Sequence, residues 1–183
     1  MSYQQQPYQQ PYQPQQQYYG YQQQPAQVGS PGTAIIAGIL ALGLAATFGG
    51  AVVDLLVEFK LIDNLDQIPG GMLGILVARA AVAVFALLGA ILLFARRSGG
   101  AVLTILAAIA GLVTVVVEPM TSELFAMVGV DFGQYLEGLF AFDSTYGTLL
   151  ALGVIAAPLA FLFAVLPSTF RWCRGRQVSF PQY

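Results

Sequence analysis

Two ionisable residues interrupt otherwise apolar runs, Asp54 and Arg79. An arginine inside a membrane span costs roughly 2.5 to 3.5 kcal/mol on insertion scales and finds a partner in the bundle interior. Asp54 is the acid that the spacing offers. Helical side chains lean toward the helix N-terminus, so in an up-down pair of spans the long Arg79 reaches outward and Asp54 leans inward to meet it. Glu58, one turn beyond Asp54, can share the same guanidinium. Such an intramembrane pair serves as a lock between the first two spans, or as a site for a proton, an ion or an anionic ligand.

Other chemistry is scarce. The chain has no histidine and a single cysteine, Cys173, which removes His-based metal sites, Ser-His-Asp triads, disulfides within the chain and CxxC motifs. There is no phosphate-binding loop and no GxSxG elbow. No catalytic, metal-binding or cofactor-binding residue is expected, and the expectation is a protein that is not an enzyme. Cys173 lies among Arg171, Arg174 and Arg176, a setting that favours the thiolate and makes it a candidate for juxtamembrane acylation.

The elements that must position these residues are apolar. The chain of 183 residues is 57% hydrophobic and 9% charged, with a mean hydropathy of +0.69, far from the roughly 25% charged residues of a soluble domain. About 20 apolar residues cross a bilayer core as helix. Four stretches meet or approach that length, at about 34–57, 71–95, 101–117 and 147–166. The fold class expected is therefore an all-α membrane protein, a bundle of four transmembrane helices over residues 33–170. Residues 96–100 between spans two and three are a tight turn, so those spans are antiparallel neighbours. The longest connection, Glu118 to Tyr146, contains Asp131 as an N-cap followed by Phe132, Tyr135, Leu136, Leu139 and Phe140. That spacing predicts an amphipathic helix over about 131–142, lying at the membrane interface or capping the bundle.

Small residues recur every fourth position: Ala37, Ala41, Ala45 and Gly49 on span one, and Gly70, Gly74 and Ala78 on span two. They continue as Ala86 and Ala90, as Gly100, Thr104 and Ala108 on span three, and as Ala156, Ala160 and Ala164 on span four. Such stripes let helix backbones approach closely. Pro158 frees a backbone carbonyl and kinks span four at its middle, and Pro167 closes it.

Residues 1–32 form a block of Gln, Tyr and Pro without a charge, unable to bury enough apolar surface to fold and expected to be disordered. Residues 171–183 are read as a basic C-terminal tail. Arg96 and Arg97 fall on the same side as Arg171, Arg174 and Arg176, whereas Lys60 alone falls on the other. The short-loop charge rule puts both termini in the cytoplasm of a plasma (inner) membrane protein.

The layout, with Tyr3-Gln-Gln-Gln-Pro7 in its head, six arginines to one lysine and Ala/Gly/Val-rich spans, resembles small four-span membrane proteins of actinobacteria with a Gln/Pro/Tyr-rich cytoplasmic tail. The resemblance implies the same topology and carries no catalytic residues. The expected partners are the lipid bilayer, further copies of this chain or a larger membrane complex, and cytoplasmic proteins met by the tail. A net charge of −2 gives no reason to expect nucleic acid. The leading functional expectation is a non-enzymatic membrane scaffold or accessory subunit, and its alternative is a small transporter or channel component using Asp54 and Arg79.

Overall fold

The computed structural model describes residues 31–58, 69–121, 129 and 131–175. Most of the Gln/Tyr/Pro block lies outside them, as do Lys60 and Arg176. The described residues hold six helices: α1 (Pro31–Glu58), α2 (Gly70–Phe94), α3 (Ser98–Thr121), α4 (Phe132–Phe140), α5 (Thr145–Val165) and α6 (Pro167–Arg174). Helices α1, α2, α3 and α5, of 28, 25, 24 and 21 residues, are long and apolar enough to cross a membrane. The chain is an all-α, four-span bundle.

The four spans close in cyclic order: α1 packs on α2, α2 on α3, α3 on α5, and α5 back on α1. The bundle is inside-out relative to a soluble one. Its outer surface shows Ile39, Val77, Val84, Leu106, Ile109 and Leu162, all at least 47% exposed. Its interior is mostly alanine, with Ala37, Ala41, Ala51, Ala86, Ala90, Ala107, Ala108, Ala157 and Ala160 fully buried. In lipid, helices gain nothing by hiding leucine from the solvent, so close backbone packing through small residues drives their association. Of the small residues picked out by their spacing on spans one and two, Ala37 and Ala41 lie in the interior, Ala45, Gly49 and Ala78 are half-buried, and Gly74 is exposed.

One large side chain occupies the centre. Phe48 of α1 is fully buried, and its ring fills the space that a side chain would need at Gly111 of α3 and Gly153 of α5; a Cβ there would sit 2.9 Å and 3.0 Å from it. Glycine also sets the α2–α3 pairing at both ends. A Cβ on Gly100 would stand 2.7 Å from the Gly89 carbonyl oxygen and collide with the Leu93 backbone, and one on Gly71 would stand 2.5 Å from the Thr121 carbonyl oxygen.

Helix α3 runs past Val117, where the sequence reading ends span three, through Glu118 and Pro119 to Thr121. Pro119 cannot donate to the Val115 carbonyl, and the helix ends two residues after it; the Thr121 hydroxyl donates to the Val117 carbonyl at 3.0 Å. Each end of the bundle then carries a short helix. At one end α4 lies against α5, opened by a reciprocal cap in which the Gln134 N–H donates to Asp131 Oδ1 at 2.8 Å and the Asp131 N–H donates to Gln134 Oε1 at 3.2 Å. Tyr135 and Leu139 are its buried face, and Phe132 and Phe140 are exposed. Ser144 caps α5 by accepting from the Gly147 N–H at 3.0 Å.

At the other end Pro167 starts α6 in its first turn, where the missing N–H costs nothing. Helix α6 packs across α1, α3 and α5. The Thr169 hydroxyl donates to the Phe163 carbonyl at 2.7 Å, and the Thr33 and Ser168 hydroxyls are 3.0 Å apart. Arg171 to Arg174, read from sequence as the start of a tail, therefore belong to a folded cap. Pro158 does not interrupt α5 and points outward.

Gly100→Ala should push α2 and α3 apart at a cost of about 1–3 kcal/mol, typical of overpacking. Gly74→Ala, with nothing within 4 Å of the added carbon, should keep or raise the unfolding midpoint, because alanine is the better helix former by about 0.5–1 kcal/mol. Thermal unfolding of the detergent-purified protein, followed by circular dichroism, compares the two.

Candidate functional site

Arg79 is the largest fully buried side chain, 0% exposed in the N-terminal half of α2. Its partner is not Asp54. Nη2 donates to Glu118 Oε2 of α3 at 2.5 Å, an ion pair between two buried residues. Nη1 donates to the Tyr146 hydroxyl of α5. Two phenols complete the shell: the Tyr146 hydroxyl donates to Glu118 Oε1 at 2.5 Å, and the Tyr135 hydroxyl of α4 donates to Glu118 Oε2. One cation, one anion and two neutral hydroxyls drawn from four helices thus form a closed, electrically balanced network. Only Nε of Arg79 is left without a hydrogen-bond partner among the described residues.

The Asp54–Arg79 expectation is corrected by this geometry. Asp54 is half-buried and Glu58 exposed on the outer turns of α1, and neither joins an ion pair among the described residues. The reason is the α2–α3 hairpin. Arg79 lies 17 residues before the Arg96–Arg97 turn and Glu118 lies 21 residues after it, so antiparallel packing brings them within about one helical turn of one level, a gap the long arginine side chain covers. Glu118 has the longer side chain and two phenolic donors beside it. Buried ions are tolerated only when such additional hydrogen bonds meet their remaining lone pairs.

Glu118, Tyr135 and Tyr146 are the members that sequence reasoning missed. Two signals were present: the register of the short turn, and a tyrosine on the apolar stripe of the amphipathic helix, since a buried tyrosine hydroxyl needs a partner. Burial, with the Glu118 carboxylate beside it, pushes the Tyr135 phenol above its ordinary range, so it stays protonated and able to donate.

Beneath the cluster the interior is closed. Val82, Val115, Leu44, Phe48 and Leu150 form the next layers. The hydroxyls of Thr47, Thr104 and Thr114 are spent on carbonyls of their own helices at Leu44, Gly100 and Gly111. Among the described residues no polar chain connects the cluster to the opposite end. Nor do three or more His, Cys, Asp or Glu residues come together there as a metal ligand set.

Cys173 also departs from expectation. It is buried against Ala37, Leu93, Ala101 and Ala164, and burial pushes its thiol up rather than toward the thiolate.

No family model, curated protein or solved structure matches the chain.

Removing one member of the Arg79–Glu118 pair strands a buried charge, so Arg79→Leu or Glu118→Leu alone should cost about 3–5 kcal/mol. The Arg79→Leu/Glu118→Leu double variant should be markedly more stable than either single variant. Asp54→Asn should shift stability by less than about 0.5 kcal/mol. A double-mutant cycle on denaturant unfolding in mixed micelles reads all four.

Proposed function

We propose that this chain is a non-enzymatic scaffold or accessory subunit of the plasma membrane, with both termini in the cytoplasm and a Gln/Tyr/Pro-rich tail that gathers partners there. The observation that carries this reading is the closed network at Arg79. Every formal charge within it is answered from inside the bundle, and the layers below are apolar. A transporter needs an ionisable group that exchanges partners along a path, and proton relays in membranes run through chains of Asp, Glu and His. Arg79 is committed to Glu118, which removes the pair on which a transport role through Asp54 rested. What this arrangement supplies is rigidity, a four-span platform pinned by an ion pair at one end and by α6 at the other.

The tail supplies the variable part. Tyrosine with glutamine offers stacking and amide contacts to other chains. The orientation is supported by the arginines at the α2–α3 turn and on α6.

Two measurements test the proposal. Cross-linking in intact cells with mass spectrometry should recover a defined set of proteins with the full chain and lose it when residues 2–30 are deleted; an unchanged set would overturn the recruiting role. For orientation, a Cys173→Ala background is carried with Ser144→Cys or Gly99→Cys. The first should react with an impermeant thiol reagent in intact cells and the second only after permeabilisation. The reverse pattern would sink the topology. Buried Cys173 is no control for the inner side, because it should stay unreactive until the protein is unfolded.

A further inference from the structure

The end of the bundle opposite the Arg79 network carries a basic groove. Arg96, Arg97 and Ser98 of the α2–α3 turn form one wall, Arg174 and Cys173 of α6 the other, and Leu92 the floor. Arg96, Arg97 and Arg174 are exposed, and the sequence around them offers nothing to neutralise them. Residues 1–53, 95–117 and 144–183 contain no Asp or Glu, and these include every described segment at this end. Among the described residues no acidic side chain at this end answers them, which leaves the groove open to an anion from outside.

The backbone holds the arginines where an anion would need them. Helix α2 ends with the Arg96 N–H bonded to the Leu93 carbonyl at 2.9 Å and the Arg97 N–H bonded to the Leu92 carbonyl at 2.8 Å. This ending places Arg96 in the left-handed region at φ 57°, a position where glycine or asparagine is the unstrained choice. The strain is accepted with a side chain that stacks its guanidinium on Trp172 of α6, 3.8 Å from the ring centroid. That contact fixes the two walls relative to each other. The same end of α2 that supplies Leu92 also exposes apolar side chains, with Ile91 52% and Phe94 48% exposed on its last turn.

We propose that this groove is a binding site for an anionic phospholipid, with the headgroup phosphate held by Arg96, Arg97 and Arg174 and the acyl chains lying along the end of α2. Guanidinium groups bind phosphate through paired, charge-assisted hydrogen bonds, and basic pockets between spans at the headgroup level take anionic lipids. The exposed apolar side chains on the last turn of α2 offer acyl chains a surface that a free ion would not use.

Trp172 is the sole tryptophan and reports on the groove directly. Full-length protein is reconstituted into phosphatidylcholine vesicles with an equal minor fraction of either brominated phosphatidylglycerol or brominated phosphatidylcholine, and quenching of Trp172 is measured. The anionic quencher should be enriched at the site by about twofold or more. Arg97→Gln/Arg174→Gln should abolish that preference, and Arg171→Gln, which removes an arginine outside the groove, should retain it. Equal quenching by the two lipids overturns the proposal using the unaltered chain alone, whether or not the double variant inserts. Loss of the preference in Arg171→Gln overturns it in favour of diffuse attraction. Its loss on adding inorganic phosphate at constant ionic strength overturns it in favour of a free-anion site.

Discussion

A guanidinium buried in an apolar bundle must be answered within hydrogen-bonding distance, and the end of this bundle that carries α4 is organised around that requirement. Arg79 lies on α2, its carboxylate partner Glu118 on α3 and its hydroxyl partner Tyr146 on α5, while Tyr135 of α4 donates to the same carboxylate. Four helices therefore meet at one carboxylate, Glu118, whose two oxygens accept from Arg79, Tyr135 and Tyr146. The extension of α3 beyond Val117 brings Glu118 to Arg79, and the seating of α4 on α5 brings Tyr135 to the same carboxylate. The same network explains why α4 is short and capped at Asp131: it has only to deliver Tyr135 and Leu139 to the interior while leaving Phe132 and Phe140 at the surface.

The remainder of the bundle follows a different rule. Between its two ends the interior is packed by size rather than by polarity, with alanines along every seam and Phe48 set against Gly111 and Gly153. Such a core leaves little room for water and gives threonine hydroxyls no partner except their own helix carbonyls. The two ends are chemically unlike. One carries the acids and a neutralised cluster. The other carries arginines with no acidic side chain near them in sequence and a helix, α6, that folds back over three spans. A platform of this kind is rigid through its middle and differentiated at its faces, which fits a protein that works by holding others in place.

Much of this was legible in the chain. Composition alone requires a membrane, because 9% charge cannot cover a soluble surface, and the length of each apolar run fixes four helices once the bilayer thickness is known. The amphipathic helix was legible too, because Asp131 and the spacing from Phe132 to Phe140 are local signals. The partner of Arg79 was not read correctly. Asp54 is the acid nearest the middle of a span, and that criterion selects it. Glu118 stands just before a proline, which marks it as the start of a loop.

What the sequence by itself determined was the set of helices, their apolar character and the segregation of basic from acidic segments, since each depends on residue type and local spacing. What only the tertiary structure decided was which charges meet. Pairing depends on the rotation of each helix about its axis and on the register between neighbours, and these are set by where glycine allows contact, at Gly71, Gly89 and Gly100, and by Phe48 filling the centre. The same holds for Cys173, whose arginine neighbours in sequence suggest a reactive thiolate, but whose place on α6 turns it inward against Leu93 and Ala101. A side chain's chemistry is set by what surrounds it in space, and that is fixed only when the helices pack.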